Sequence, residues 1–190
     1  MSMLGEMKFF LGLQITQCDK GISISETKYI NEMLKKFKME DCKPVGTPMV
    51  TGYKLSKYDN TRDVDQTMYR SIIGSLLYAT AVRPEIMHAV CQVGRFQASP
   101  KNTHLLAVKR IFIYLKGTAN HGLWYPRGNH FDLYEFTDVD WAGCIDDRKS
   151  TNGATFFLGG CLVSWSSKKQ SSVSLSIAEA KYIAVASCCT

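Results

Sequence analysis

The sequence predicts an α+β fold: an N-terminal β-hairpin and a helical region, then an antiparallel three-stranded meander closed by a helix. Three observations carry this. Residues 8–25 hold two strand-like runs around the turn cluster Cys18-Asp19-Lys20-Gly21. Between residues 66 and 116, apolar residues recur with helical spacing in three successive stretches. From His121 the apolar residues gather into short runs, two of them separated by Gly159-Gly160, the strongest hairpin signal in the chain.

The first hairpin is read from Phe9, Phe10, Leu11, Leu13 and Ile15 on one side and the alternating Ile22-Ser23-Ile24-Ser25 on the other. A helix follows, because Tyr29, Ile30, Met33, Leu34 and Phe37 form one apolar stripe. Lys28, Lys35, Lys36 and Lys38 surround that stripe. The pattern serves a solvated rim around a core stripe, and it serves equally a basic helix lying along a nucleic-acid backbone. Pro44, Gly46 and Pro48 end the helix, and residues 51–65 have no periodicity and read as a linker or surface crossing.

Three helices come next. The first, over residues 66–79, carries Met68, Ile72, Ile73, Leu76 and Leu77. The second begins at Pro84, a residue suited to a first helical turn, and carries Ile86, Val90, Val93 and Phe96. The third, over residues 103–116, carries Leu105, Leu106, Val108, Ile111, Phe112 and Leu115 and stops at Gly117. Lys101, Lys109, Arg110 and Lys116 lie in or beside it with no acid among them. That run is the best candidate for a phosphate-contacting face, and plain solubility explains it equally well.

In the last third, Leu123-Trp124-Tyr125 is a short strand and residues 126–130 a turn. Residues 131–139 are strand-like without clean alternation, so burial on both faces is expected. Residues 154–158 and 161–166 are the two arms of the Gly-Gly hairpin, and Ser176-x-x-Glu179 is a capping box opening a helix.

The totals bound the function classes. A length of 190 residues allows one ordinary domain or two small ones, and 45% hydrophobic residues supply a core. The formal charge of +6 leans towards a polyanionic partner. Apolar stretches such as 72–82 fall short of the ~20 residues of a membrane span, and the N-terminus shows no signal pattern. The expectation is therefore an intracellular protein, cytoplasmic or nuclear, without membrane contact. The seven cysteines include no C-x-x-C and none at zinc spacing with the four histidines.

Several motifs in fixed order resemble the Pol polyprotein of copia-type retrotransposons, across nearly the whole chain. They are Lys8-Phe9-Phe10-Leu11-Gly12-Leu13-Gln14-Ile15, Gly46-Thr47-Pro48-Met49, Tyr69-Arg70-Ser71-Ile72-Ile73-Gly74-Ser75-Leu76-Leu77-Tyr78 and Arg83-Pro84-Glu85-Ile86. Further along come Val108-Lys109-Arg110-Ile111-Phe112-Ile113-Tyr114-Leu115-Lys116-Gly117-Thr118, Asp147-Arg148-Lys149-Ser150-Thr151 and Ser164-Trp165-Ser166-Ser167-Lys168-Lys169-Gln170. The resemblance implies a map. Residues 1–25 would be the end of a reverse-transcriptase palm with its primer-gripping hairpin, 26–120 a thumb/connection-like helical region, and 121–190 an incomplete, truncated ribonuclease H-like domain.

The same resemblance implies chemistry. The family's polymerase acids form a Tyr-Val-Asp-Asp motif upstream of the primer grip, and this chain is expected to begin after it, which leaves nothing to hold polymerase metals. Ribonuclease H chemistry needs several carboxylates around two Mg ions. Asp138 corresponds to the first of these, and would be the metal ligand if the chain has one. Asp140 would share its face, as a supporting or loop residue. The helical carboxylate belongs in Ala-Glu-Ala-Glu-Tyr-x-Ala, which here reads Ala178-Glu179-Ala180-Lys181-Tyr182-Ile183-Ala184. Lys181 stands at the expected Glu position. Glu179 is a poor substitute, because two residues turn a helix by about 200° and the capping box already accounts for it. An ammonium at 181 is expected near Asp138, in the space of the metal. The remaining acids are expected beyond Thr190, so productive Mg binding is not expected.

The expected function is therefore a copia-type reverse transcriptase/ribonuclease H remnant, catalytically inactive as this chain. One alternative is a sequence-independent module holding an RNA–DNA hybrid, or DNA, through Lys35, Lys36, Lys38, Lys109, Arg110 and Lys116. Another is a hybrid-cleaving nuclease completed by a second chain. A sheet cut short in this way is expected to expose a strand edge and an apolar helix face. Oligomeric state leaves no mark in the sequence.

Overall fold

The computed structural model describes residues 5–128 and 131–189. The first sheet is antiparallel throughout, in the order β1 (Phe9–Phe10), β2 (Leu13–Cys18), β3 (Gly21–Ser25), β4 (Gly122–Pro126). A second antiparallel sheet holds β5 (Leu133–Asp140), β6 (Thr151–Leu158) and β7 (Cys161–Lys169), in that order. Between them in sequence lie α1 (Thr27–Lys36), α2 (Gln66–Ala79), a short 3₁₀ turn at Pro84–Ile86 running into α3 (Met87–Gly94), and α4 (Asn102–Gly117). The chain closes with α5 (Ile177–Cys188).

The core lies among the helices. Ile30 and Leu34 of α1, Tyr69, Ile73 and Leu76 of α2, Val90 and Val93 of α3, and Ile111, Phe112 and Leu115 of α4 are all buried together. Tyr69 sits at its centre and donates its hydroxyl proton to the Val93 carbonyl at 2.9 Å, so burial leaves no polar atom of the ring unsatisfied. The stripe read on α1 is thus a packing face, whereas Met68 and Leu77 of α2 and Leu106 of α4, read with the apolar stripes of their helices, are exposed. Asp65 caps α2 by accepting from the Met68 N–H at 2.6 Å.

One strand expectation is corrected. The run from Phe9 to Ile15 is not one strand. Leu11 and Gly12 both take positive φ (48° and 83°) and form a two-residue hairpin loop, with Phe10 paired to Leu13. The short strand β4 pairs with β3 in the first sheet, Ile22 with Tyr125 and Ile24 with Leu123. Two glycines permit this: a side chain at Gly21 would strike the Tyr125 carbonyl, and one at Gly122 the Ile24 carbonyl. The turn expected at 126–130 falls partly on Asn129 and His130, outside the described residues.

The Gly159-Gly160 hairpin forms as read, with positive φ at both glycines and Leu158 paired to Cys161. Its sheet leans on the helices by specific contacts. The Trp165 indole N–H donates to the Thr80 carbonyl at 2.9 Å, Arg95 Nη2 donates to Thr151 Oγ1 at 2.9 Å, and Tyr125 Oη of the first sheet donates to the Leu162 carbonyl at 2.9 Å. The aperiodic crossing 51–65 is also tied down. Asp146 accepts from Ser56 Oγ at 2.5 Å and from the Lys57 N–H at 2.9 Å.

The expectation that 131–139 is buried on both faces fails. Leu133, Tyr134 and Phe136 are largely exposed. Among the described residues β5 pairs only with β6, so it is an edge strand. The apolar run is real, but nothing described here covers its outer side.

Candidate functional site

The two faces of the second sheet decide where each candidate residue lies. Antiparallel partners share a face, and the register sets Asp138 beside Gly153 and Ser167, and Phe136 beside Thr155 and Trp165. This face meets the start of α3. His88 Nδ1 lies 3.3 Å from Ser167 Oγ, and a cavity of about 240 Å³ is walled by Met87, His88, Phe136, Asp138 and Trp165. The opposite face carries Thr137, Ala154 and Asn152. There α5 packs: Asn152 Nδ2 donates to Ser187 Oγ at 3.5 Å, and Gln170 Nε2 bridges the Asn152 side chain (2.7 Å) and the Ala180 carbonyl (2.9 Å). The Cys188 thiol is pushed up in pKa by burial and by the Glu135 side chain of that same face.

Asp138 and Lys181 are therefore on opposite sides of the sheet. Lys181 is exposed, and no ion pair joins it to Asp138. The expected replacement of a metal by an ammonium is overturned, for a plain reason: α5 buries Ala180 and Ala184 against the sheet, which turns Lys181 and Tyr182 outward. Glu179 does cap the helix, with a difference. Ser176 Oγ accepts from the Glu179 N–H at 3.1 Å, but the Glu179 carboxylate accepts from Leu175 N at 2.7 Å, one residue before the helix cap.

Asp138 accepts from its neighbour's N–H, Val139, at 2.8 Å. Asp140 lies on the same face, folded over Gly143, where any side chain would collide with its carboxylate. Both carboxylates look towards His88. His88 is exposed, with its two ring nitrogens set against Ser167 and Gln92. Desolvation lowers its pKa below the ordinary histidine value, against Asp140 and Asp138, which raise it. A second cavity of about 350 Å³, on the other side of His88, is lined by Tyr53, Arg95, Phe96, Asp140 and Cys144. His88 Nε2 faces the Gln92 amide at 3.3 Å rather than a carboxylate, so no Ser–His–Asp relay is assembled. Sequence reasoning missed His88. A lone histidine on a helix carries no spacing signal, and its acidic neighbours are about fifty residues away in the chain.

A two-ion centre requires several carboxylates converging on ions ~3.5–4 Å apart. Among the described residues no group of three aspartate, glutamate, histidine or cysteine side chains converges to hold a metal ion. This donor set does not fit two Mg ions.

The six basic candidates divide into two kinds. Lys35, Lys36, Lys38 and Lys109 are exposed and take part in no ion pair among the described residues. Lys35 and Lys36 lie in the last turn of α1, where the helix dipole favours cations, and Lys36 also sits 5.1 Å from the centre of the Phe37 ring. Arg110 and Lys116 are tethers. Arg110 donates to Thr47 Oγ1 at 2.9 Å and Lys116 to the Cys42 carbonyl at 2.8 Å, so both hold the 42–47 crossing against α4. The Phe37–Phe112 contact, with centroids 5.3 Å apart, brings the end of α1 alongside α4.

The reverse transcriptase (RNA-dependent DNA polymerase) family matches residues 1–51. The chain is 44% identical over 181 residues to the retrovirus-related Pol polyprotein from transposon RE1 of Arabidopsis thaliana, covering 95% of this chain and 12% of that protein. It is 40% identical to the corresponding polyprotein from transposon TNT 1-94 of Nicotiana tabacum, over 95% of this chain and 14% of that one. An uncharacterized mitochondrial protein of Arabidopsis thaliana is 39% identical over 96% of this chain and 76% of its own length. No solved structure matches. The chain belongs to the copia-type retrotransposon Pol polyprotein family, and it spans about an eighth of the length of the transposon polyproteins it matches.

Proposed function

We propose that this chain is a Pol-derived protein whose ribonuclease H-like part is catalytically silent. The map implied by the motifs goes with it: a primer-grip-like hairpin, a thumb/connection-like helical region, and a meander with one helix corresponding to the start of a ribonuclease H domain. The observation that carries the reading is the separation of Asp138 and position 181 by the sheet, together with the lysine at 181. One carboxylate pair facing a histidine gives no place for two ions to clamp an attacking water and a scissile phosphate. The test is hydrolysis of a labelled RNA–DNA hybrid by folded protein with Mg or Mn, beside Asp138→Asn. The expected outcome is no cleavage by either. Cleavage lost in the variant overturns the reading.

A second reading, sequence-independent binding of an RNA–DNA hybrid or DNA, is favoured by one observation. Lys35, Lys36, Lys38 and Lys109 carry charge that no acid of the described residues neutralises. Such contacts act through phosphates and carry no base readout.

A further inference from the structure

We infer that Cys144 and Lys169 form an oxidation-dependent cross-link, a sulfur–nitrogen bond that ties the turn after β5 to the end of β7. Lys169 Nζ lies 3.2 Å from Cys144 Sγ and 2.7 Å from Asp147 Oδ2. The two reacting groups come from separate elements, and both are held in place. The 144–149 turn is closed by the Cys144 N–H donating to the Lys149 carbonyl at 3.1 Å and by the Arg148 N–H donating to the Cys144 carbonyl at 2.8 Å. Asp147 accepts from the Lys149 N–H at 3.3 Å, and its ion pair with Lys169 then holds the amine beside the sulfur. The backbone of Lys169 is fixed by the ladder, where it pairs with Thr151. Other thiols have different neighbours. Cys18 and Cys42 donate to main-chain carbonyls, and Cys91 accepts from the Arg95 guanidinium, whose electrons are delocalised. Cys144 instead touches a primary amine. It is only partly buried, and it lines the cavity of about 350 Å³ beside His88, which is wide enough for hydrogen peroxide.

The chemistry balances with hydrogen peroxide as the oxidant. The Cys144 thiol and one peroxide give the sulfenic acid and one water, the sulfur losing the two electrons that the peroxide gains. The Lys169 amine, after giving the third proton of its ammonium to solvent, attacks that sulfur. The S–N bond forms, the S–OH bond breaks, and the hydroxyl leaves as water with one amine hydrogen. The product is a sulfenamide between Cys144 Sγ and Lys169 Nζ, lighter than the reduced protein by two hydrogens. Contact between the reacting atoms gives the amine a high effective concentration over any nucleophile in solution. Two equivalents of a thiol reductant reverse the bond, restoring thiol and amine and leaving as a disulfide. Asp146 of the same turn holds Ser56 and Lys57 of the 51–65 crossing, so the bond couples that anchorage to oxidation.

The test is peptide mapping of the folded full chain after mild peroxide treatment and digestion with trypsin. The expected product joins segment 128–148, which carries Cys144, to segment 169–181, which contains no cysteine and so cannot be held by a disulfide. Its mass should lie ~2 Da below the sum of the two segments, and dithiothreitol should separate them. Lys169→Arg keeps a cation for Asp147 and removes the attacking amine. That variant should lose the joined product and raise dimedone trapping at Cys144 by roughly tenfold, because the sulfenic acid is no longer consumed. Oxidation of Cys144 that never joins it to Lys169 overturns the inference, as does a Cys144 that peroxide leaves untouched. Equal yield of the joined product from urea-unfolded chain overturns it too, since the bond would then owe nothing to the folded geometry.

Discussion

Glu26 offers the sharpest perturbation of the folded core. It is 1% exposed, and neither carboxylate oxygen has a hydrogen-bond partner. Burial raises its pKa from 4.5 to about 7, with the Arg83 guanidinium only partly offsetting the rise. The folded state therefore holds a proton that the unfolded chain releases above pH ~4.5. Stability must fall as pH rises between the two values, because the native state binds more protons there than the unfolded state. A shift of this size is worth about 3 kcal/mol in all, of which about 2.5 kcal/mol lies between pH 5 and pH 8. For a chain of this length that is a melting shift of roughly 5–10 °C. His88 and His104 act in the opposite sense. Burial lowers both pKa values, so their contribution grows as pH rises through the ordinary histidine range. The clean readout is consequently the difference between wild type and Glu26→Gln in urea unfolding at pH 5 and pH 8. The amide cannot ionise, so the variant should gain about 2.5 kcal/mol relative to wild type on going from pH 5 to pH 8. A difference that stays constant across this interval refutes the placement of an unpartnered Glu26 carboxyl in the core.

Tyr69→Phe removes the donor to the Val93 carbonyl, which keeps the Phe96 N–H at 3.2 Å, so the loss should sit near ~1 kcal/mol in denaturant unfolding rather than at the full cost of an orphaned group. Replacing Lys35, Lys36, Lys38 and Lys109 by alanine should lower the slope of log affinity against log salt for a hybrid by up to about three, with no change in sequence preference. An unchanged slope in a fluorescence-anisotropy titration removes the phosphate-contact reading.

The helices were legible because their information is local. The apolar stripe of residues 66–79 bounds α2 as the structure has it, and Pro84 opens the 3₁₀ turn that leads into α3. The Gly159-Gly160 loop was legible for the same reason, since two positive-φ residues in a row ask for glycine. Partnership between distant strands was not. Pairing of β3 with β4 joins residues a hundred positions apart, and only the bare backbones at Gly21 and Gly122 hint at it. The Leu11-Gly12 loop was hidden because leucine is a poor residue for positive φ. Burial of β5 was misjudged because an apolar run reports what a strand could cover, and not whether anything lies beside it. The motif comparison found Asp138 and Lys181 but gave no sense of sides. Which face each occupies depends on the parity of β5 and on the line of small residues, Ala180 and Ala184, that seats α5.

That division by the sheet is best tested by restoring the family's carboxylate. Lys181→Glu, alone and combined with Asp138→Asn, would be assayed for cleavage of a labelled RNA–DNA hybrid in Mg and in Mn, with circular dichroism confirming the fold. With Asp138 facing His88 and position 181 on the far side of the sheet, the new glutamate gains no shared ion and cleavage stays at background. Metal-dependent cleavage in Lys181→Glu that vanishes in the double variant would mean that the two side chains do converge, and would contradict the account.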